Sequence, residues 1–419
     1  MSRAVITALT GAGESELVAA LGATADYAVA RRCADLPDLL AAAAAGLGRV
    51  ALVSPDLRSL DRSALRELAT HGLVAAGVVE PGDEPGERRL RQLGLTVVVR
   101  TDAASQDLAD LLDELLLHAS EPDADSSRGP TTKDPEPTLD ATEPAAVPCR
   151  VIAVWGPTGA PGRSTVALNL AAELAVHAPT VLVDCDTYGS SVAQALGMLD
   201  EAPGMAAACR AADQGSLDLH ALARVAPEVS PQLRVLTGVP RADRWTELRA
   251  ASVEHVLTIA RQLATFVVVD CGFCIEDDEE LSYDTLAPRR NAPTLVALEC
   301  ADELVVVGSG DPIGLQRLVR AVQDLASVPS PTPRIVVNKV RASAVGTRPE
   351  RRITEALDRF AGMDDLAFLP HDPVTVDGAM FAGKSLAEFA PASDLRRAFV
   401  GLTEPYVVVA PRHRRRQRR

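Results

Sequence analysis

The chain has 419 residues, 47% of them hydrophobic, and a formal net charge of −15 at pH 7. This length predicts two or three domains, the apolar content excludes a disordered chain, and the acidic balance excludes a protein that coats nucleic acid along its whole surface. The seven Cys are scattered and odd in number, so we expect reduced thiols and a cytoplasmic protein with neither a signal peptide nor a membrane span.

Apolar runs alternate with helical patterns over residues 1–119. Strands are predicted at Ala4–Leu9, Tyr27–Arg31, Arg49–Val53, Val74–Val79 and Thr96–Val99. Helices are predicted at Ser15–Leu21, Leu36–Ala45, Arg62–Thr70, Glu87–Leu93 and Ser105–His118. Repeated βα units of this length predict a small, doubly wound, flavodoxin-like parallel sheet.

This first region resembles a response-regulator receiver domain. Such a domain needs carboxylates after its first strand, an Asp at the end of its third and a Lys after its fifth. Asp56 follows the predicted third strand, but no carboxylate precedes Glu14, and Arg100 stands where the Lys is expected. We interpret residues 1–119 as a receiver-like module used for docking or dimerisation; phosphotransfer at Asp56 is the disfavoured alternative.

Residues 120–148 are dominated by Pro, Asp, Glu, Ser and Thr and show no apolar periodicity. This composition predicts a disordered acidic linker that divides the chain.

A larger sheet is predicted in the domain that follows, residues 149–408. Its strands are predicted at Arg150–Trp155, Thr180–Asp184, Leu233–Thr237, Phe266–Val269, Glu303–Val307 and Arg334–Val337. Near-continuous Val, Ile and Leu runs indicate parallel strands that are buried on both faces. The predicted fold class is therefore α/β, with two doubly wound, mostly parallel sheets.

The segment Arg150–Leu170 reads as a strand, a Gly/Pro loop and a helix, which is the layout of a phosphate-binding loop. The standard pattern is G-x-x-x-x-G-K-[ST]. In this chain Pro157 stands at the first Gly and Arg163 stands at the Lys. We therefore expect binding of a nucleoside triphosphate with Mg²⁺ rather than fast hydrolysis.

Each loop position has an expected role. Arg163 would neutralise phosphate charge, Ser164 would supply a hydroxyl ligand to Mg²⁺, and Thr165 would cap the helix or contact the α-phosphate. The backbone that would surround the phosphates belongs to Gly159, Ala160, Pro161 and Gly162.

Polar residues end three further predicted strands. Asp184 and Asp186 end one strand, Asp270 ends another, and Asn338 follows a third. Two strands that deliver carboxylates to one sheet edge suit a Mg²⁺-triphosphate site, and an Asn amide can pair with a purine edge.

This ordered set resembles the MinD/ParA family of deviant-Walker P-loop ATPases over roughly residues 150–400. The resemblance implies ATP and Mg²⁺ as ligands. It implies that Asp186 positions the hydrolytic water, with Arg163 as the second catalytic candidate. It also implies that Asp270 is the Walker B residue, which would hold the metal together with Ser164.

The same resemblance places Asn338 at the adenine and Pro370 and Asp372 near the base. The family's signature Lys aligns with Thr158, so a charge that stabilises the transition state is missing and slow or absent turnover is expected. The residues considered as replacements for that charge are Arg289 and Arg290.

A receiver-like module, an acidic linker and a MinD/ParA-like domain together resemble the CpaE/TadZ group, which localises Flp/Tad pilus machinery; actinobacterial septum-site regulators share this layout. We expect an ATP-dependent homodimeric switch that positions a pilus, secretion or division assembly and hydrolyses ATP weakly. The alternatives are a non-hydrolysing scaffold, a septum-site or chromosome-partitioning regulator, and an amidoligase of the cobyric-acid kind.

The chain closes on a basic tail, residues 409–419. Two interpretations stay open: a solvated chain end, or a contact to anionic lipid at the inner face of the plasma membrane or to DNA phosphate.

Overall fold

The computed structural model describes residues 3–10, 13–24, 26–58, 60–118, 149–159, 161–198, 204–276, 288–363 and 365–407. Contacts group the chain into two compact units, residues 1–147 with 212–216, and residues 148–211 with 217–419. The predicted linker, the basic tail and Ala160 lie outside the described residues.

The first unit contains a parallel sheet whose strand order is β2-β1-β3-β4-β5. Its strands are β1 Arg3–Ala8, β2 Tyr27–Arg32, β3 Val50–Val53, β4 Val74–Val79 and β5 Val98–Arg100. Its helices are α1 Glu14–Gly22, α2 Leu36–Ala44, α3 Arg62–Thr70, α4 Glu84–Leu93 and α5 Ser105–His118. This order is the flavodoxin-like one that the sequence predicted.

Alternate residues of the strands in this sheet enter two different cores. Ile6 packs with apolar residues of α2, α3 and α4, whereas its neighbour Val5 packs with those of α1 and α5. Helices therefore cover both faces, as expected for a doubly wound sheet.

A second, larger sheet has the order β13-β12-β11-β6-β10-β7-β9-β8, and only the β8–β9 pair of it is antiparallel among the described strands. Its strands are β6 Arg150–Trp155, β7 Thr180–Cys185, β8 Glu228–Ser230, β9 Leu233–Leu236, β10 Phe266–Cys271, β11 Glu303–Ser309, β12 Pro333–Val340 and β13 Leu366–Pro370. The fold class predicted from sequence is confirmed.

The described chain from residue 149 onward also contains helices and one 3₁₀ helix, Ala242–Glu247. The helices are α6 Arg163–Ala175, α7 Val192–Ala195, α8 Gly204–Asp213, α9 Leu219–Val225, α10 Ala250–Leu263, α11 Ala292–Glu299, α12 Pro312–Leu325, α13 Ala342–Val345, α14 Pro349–Ala361, α15 Pro373–Phe381, α16 Leu386–Phe389 and α17 Asp394–Thr403. None of the described helices combines the length and the apolar character that a membrane crossing requires.

Two of the described strands, β8 and β13, were not predicted from the sequence. Both lie at the edges of the larger sheet, and their residues are mostly half-buried or exposed. An edge strand does not need the continuous apolar run by which the central strands were recognised.

Helix α6 is the element that positions the candidate site, because it lies in the core directly after β6. Every residue from Val166 to Ala175 is buried. Polar groups also anchor it: Asn169 accepts a hydrogen bond from the Leu386 N–H at 2.8 Å, and Glu173 forms a 2.8 Å ion pair with Arg396. A helix held on all sides gives its N-terminus a fixed place at the carboxyl ends of the strands.

Candidate functional site

The loop between β6 and α6 approaches the helix through two glycines in left-handed backbone conformation. Gly159 has φ 104° and Gly162 has φ 99°. Gly162 is the N-cap of α6 and supplies no side-chain acceptor, so the first N–H groups of the helix point into the loop. A Cβ atom built on Gly162 would overlap the amide nitrogen of Asn338, so the close approach requires glycine.

Arg163 does not point freely into this loop. Its guanidinium donates hydrogen bonds to the carbonyl oxygens of Gly156 at 3.3 Å, Pro157 at 3.0 Å and Cys271 at 3.2 Å. Its Nη2 also lies 3.6 Å from an oxygen of Asp186. The cation that stands where the standard phosphate-loop pattern has Lys is therefore engaged by the ends of β6 and β10.

Asp270, in register with Asp184 on the neighbouring strand, is fully buried. Neither of its carboxylate oxygens has a hydrogen-bond partner among the described residues. Burial raises the pKa of Asp270 well above its usual range and the charge of Asp184 raises it further, whereas the nearby Ser164 hydroxyl and the Arg163 charge lower it. A buried carboxylate without partners is costly to leave in a folded protein, so it indicates a group that binds there.

The two carboxylates at the carboxyl end of β7 have different surroundings. Asp184 accepts the N–H groups of Ser191 and Val192, both at 3.1 Å, and burial raises its pKa to about 6. It therefore holds the start of α7. Asp186 accepts the N–H of Tyr188 at 2.8 Å through one oxygen and faces Arg163 with the other.

A cavity of about 400 Å³ lies beside the N-terminus of α6. Predicted binding residues that share its lining are Gly162, Thr165, Asn338, Pro370 and Asp372. The structure thus brings the predicted base-proximal residues together with the predicted phosphate loop.

Asn338 has a role that the sequence analysis did not predict. Its amide nitrogen donates to the Pro161 carbonyl at 2.9 Å, and its amide oxygen accepts the N–H of Lys339 at 2.8 Å. The Asn338 side chain therefore connects β12 to the loop before α6. Lys339, which lies in β12 and lines the same cavity, was not predicted as a site residue, although its being one of only three Lys among 42 basic residues is a usable signal.

Arg290, considered as a replacement charge, is engaged elsewhere. Its guanidinium stacks over the Tyr188 ring at 4.0 Å and donates to the Thr187 carbonyl at 3.3 Å. The Tyr188 hydroxyl in turn donates to Asn291 at 2.8 Å. These contacts fix the turn after β7 and leave the loop around Thr158 without this Arg.

The corresponding strand ends of the first unit border a cavity of about 350 Å³. Asp56 is exposed and accepts a hydrogen bond from the Thr10 hydroxyl. Glu80, which the sequence analysis did not name, accepts the Gly13 N–H at 3.2 Å and the Thr101 hydroxyl at 2.9 Å. Polar groups of the protein itself therefore satisfy both carboxylates.

No protein-family model and no curated protein matches the chain. Solved structures do. A ParA family ATPase from Chlorobium tepidum TLS is 19% identical, covers 60% of this chain and 98% of its own, and has a TM-score of 0.51. The cell division ATPase MinD from Pyrococcus furiosus is 18% identical over 61% of this chain and 98% of its own, with a TM-score of 0.48. The septum site-determining protein MinD from Pyrococcus horikoshii OT3, complexed with Mg-ADP, is 17% identical over 62% of this chain and 96% of its own, with a TM-score of 0.48. At 19% identity, the likeness to the ParA family ATPase shows a shared fold and nothing finer.

Proposed function

We propose that the protein binds ATP with Mg²⁺ at the carboxyl end of β6 and works as a nucleotide-dependent switch of the MinD/ParA type. The observation that carries this proposal is Asp270, whose two oxygens are buried and without partners at a strand end beside the loop. The shared fold with a ParA family ATPase supports it.

The residues at this site fit a magnesium ion. Mg²⁺ prefers oxygen ligands and is usually held by one or two protein groups together with substrate phosphates. Asp270 and the Ser164 hydroxyl would hold it; among the described residues no larger cluster of His, Cys, Asp or Glu competes as a metal site. When bound, the ion would neutralise phosphate charge and place a positive charge beside the buried Asp270 carboxylate.

The nucleotide would extend from the loop into the neighbouring cavity. The N–H groups of the first turn of α6, which Gly162 leaves uncapped, would bind phosphate oxygens. The base would enter the cavity of about 400 Å³ lined by Asn338, Pro370 and Asp372. Beyond its bonds to Pro161 and Lys339, the Asn338 amide has a second N–H and a second oxygen lone pair, and these would pair with the adenine edge.

Weak hydrolysis follows from the surroundings of Asp186, the residue that we assign to positioning water. One of its oxygens faces Arg163, so this carboxylate is not free to accept a proton from water until that ion pair opens. Thr158 adds no charge at the position of the signature Lys. The same two observations favour the second candidate, a scaffold that holds ATP without hydrolysing it.

The biological output that we propose is assembly rather than a released product. ATP would favour a homodimer that positions or regulates pilus, secretion or division machinery; a role in septum-site selection or chromosome partitioning is the alternative. These assignments rest on the resemblance of the layout. A contact of residues 409–419 with anionic lipid or DNA phosphate rests instead on the basic residues of that segment.

Calorimetric titration of Mg·ATP into the full chain tests the proposal. We expect saturable heat for the wild type, and binding at least about tenfold weaker for Asp270→Asn, because the variant loses a charged metal ligand. Asp358→Asn, the same change at an exposed position on α14, is the matched control and should bind like the wild type.

A folded wild type that gives no heat with Mg·ATP would contradict the nucleotide switch. Phosphate release as fast as that of a characterised ParA would contradict weak hydrolysis and leave binding intact.

A further inference from the structure

Helix α12 carries a guanidinium to the phosphate loop. The helix follows β11, the neighbour of β6, and Asp311 caps it by accepting the Gly314 N–H at 2.9 Å. From its second turn, Arg317 reaches Gly159: a Cβ atom built on that glycine would overlap Nη1 of Arg317. The guanidinium therefore lies directly against the backbone of the loop.

The Arg317 side chain is exposed. Among the described residues it forms neither a hydrogen bond nor an ion pair, whereas Arg163 is bonded to three carbonyls and faces Asp186. The loop thus has two guanidinium groups beside it, one engaged by the protein and one available to a ligand.

A second cation increases the positive charge on this side of the loop. Arg320 follows Arg317 at i+3 on α12, where like charges repel, and both line a cavity of about 860 Å³ that also reaches Thr158. The carboxylates in that lining are Glu276, Glu299 and Asp324. Of the two guanidinium groups, that of Arg317 lies nearest to Gly159.

We propose that Arg317 contacts the terminal phosphate of the bound triphosphate from within the same chain. This inference rests on the proposed nucleotide site. The N-terminus of α6 takes the inner phosphates, so the terminal phosphate lies towards the first half of the loop, where Gly159 and Arg317 meet. A guanidinium at that place supplies the positive charge that neither Thr158 nor the engaged Arg163 offers.

This placement also explains why position 159 is glycine. Its φ of 104° favours glycine, and any side chain would push the Arg317 guanidinium away from the loop.

Paired titrations with Mg·ATP and Mg·ADP test the assignment on the full chain. Arg317→Gln should weaken Mg·ATP binding about tenfold, the effect of one lost charge-assisted contact, and change Mg·ADP binding less than about twofold. Arg320→Gln is the matched control: it removes the same charge one turn further along the same cavity and should leave the ATP-to-ADP affinity ratio unchanged. Arg317→Lys should recover part of the loss.

The outcomes separate this inference from the proposed function. If the wild type binds neither nucleotide, both fail. If the wild type binds Mg·ATP and Arg317→Gln binds it equally well, or loses ATP and ADP affinity in the same proportion, only the role of Arg317 is overturned. Unchanged tryptophan fluorescence of Arg317→Gln confirms folding, because both Trp of the chain, Trp155 and Trp245, lie in the second unit.

Discussion

In each unit a carboxylate lies at the carboxyl ends of the parallel strands, but the two carboxylates differ in their hydrogen-bond partners. In the first, Glu80 at the end of β4 is bonded on one oxygen to the Gly13 N–H and on the other to the Thr101 hydroxyl. In the second, Asp270 at the end of β10 has no partner among the described residues for either oxygen. Both carboxylates follow buried parallel strands, and both edges border a cavity.

The difference shows that strand-end carboxylates indicate a ligand only when the fold leaves them unsatisfied. Where the protein supplies donors and the carboxylate is exposed to solvent, as at Glu80, the folded state carries little cost without a bound ion. Where it supplies none, the folded state carries a cost that a bound cation removes.

The largest effect is expected at Asp270, where the burial of a charge without partners lowers the free energy of unfolding. Burial raises the pKa of Asp184 to about 6 and that of Asp270 well above the usual value of 3.8. The native state therefore binds more protons than the unfolded state above that value, so the free energy of unfolding falls as pH rises. Above about pH 7, where Asp184 with its pKa of about 6 is mostly ionised, Asp270 should account for the remaining fall, at most about 1.4 kcal/mol per pH unit.

Denaturant unfolding without nucleotide or Mg²⁺, followed by tryptophan fluorescence between about pH 7 and about pH 8, measures this slope in the second unit. Asp270→Asn should flatten it, and Asp358→Asn should keep the wild-type slope. A slope that survives Asp270→Asn would show that the carboxylate is not the strained group.

An intermediate effect is expected at Arg163. A Lys at this position cannot reach the same three carbonyls in one planar fork, so Arg163→Lys should free Asp186 and leave a point charge for phosphate. We expect phosphate release in the presence of Mg·ATP to rise about tenfold, a change of about 1.4 kcal/mol in the barrier.

Colorimetric phosphate assays of wild type, Arg163→Lys and Arg163→Ala distinguish the roles. Arg163→Ala frees Asp186 but supplies no cation, so it should stay slow. Equal rates for all three proteins would refute the idea that the Arg163–Asp186 pair limits hydrolysis.

The smallest effect is expected in the first unit. Glu80→Gln replaces one acceptor by a donor facing the Gly13 N–H or the Thr101 hydroxyl, which should cost about 1 kcal/mol of unfolding free energy. Far-UV circular dichroism detects this loss, while Mg·ATP affinity should not change. A fall in nucleotide affinity would contradict the division of roles between the two edges.

The alternation of strands and helices in both units could be predicted because it is local. Apolar runs such as Val151–Val154 and Val267–Val269 identify central strands, and the spacing of Gly159 and Gly162 before an apolar helix identifies the loop. The edge strands β8 and β13 could not be predicted in this way, because they are recognised by their pairing with a neighbouring strand and not by an apolar run.

By itself the sequence determined which residues stand at strand ends: Asp186, Asp270 and Asn338, with a glycine-bounded loop before α6. Only the tertiary structure decided which of these side chains have hydrogen-bond partners. Asn338 meets Pro161 across 177 positions of chain, Arg163 meets Cys271 across 108, and Arg317 reaches Gly159 from another helix. Hydrogen-bond partners that distant in sequence are fixed by how the strands are ordered in the sheet, and no local pattern records that order.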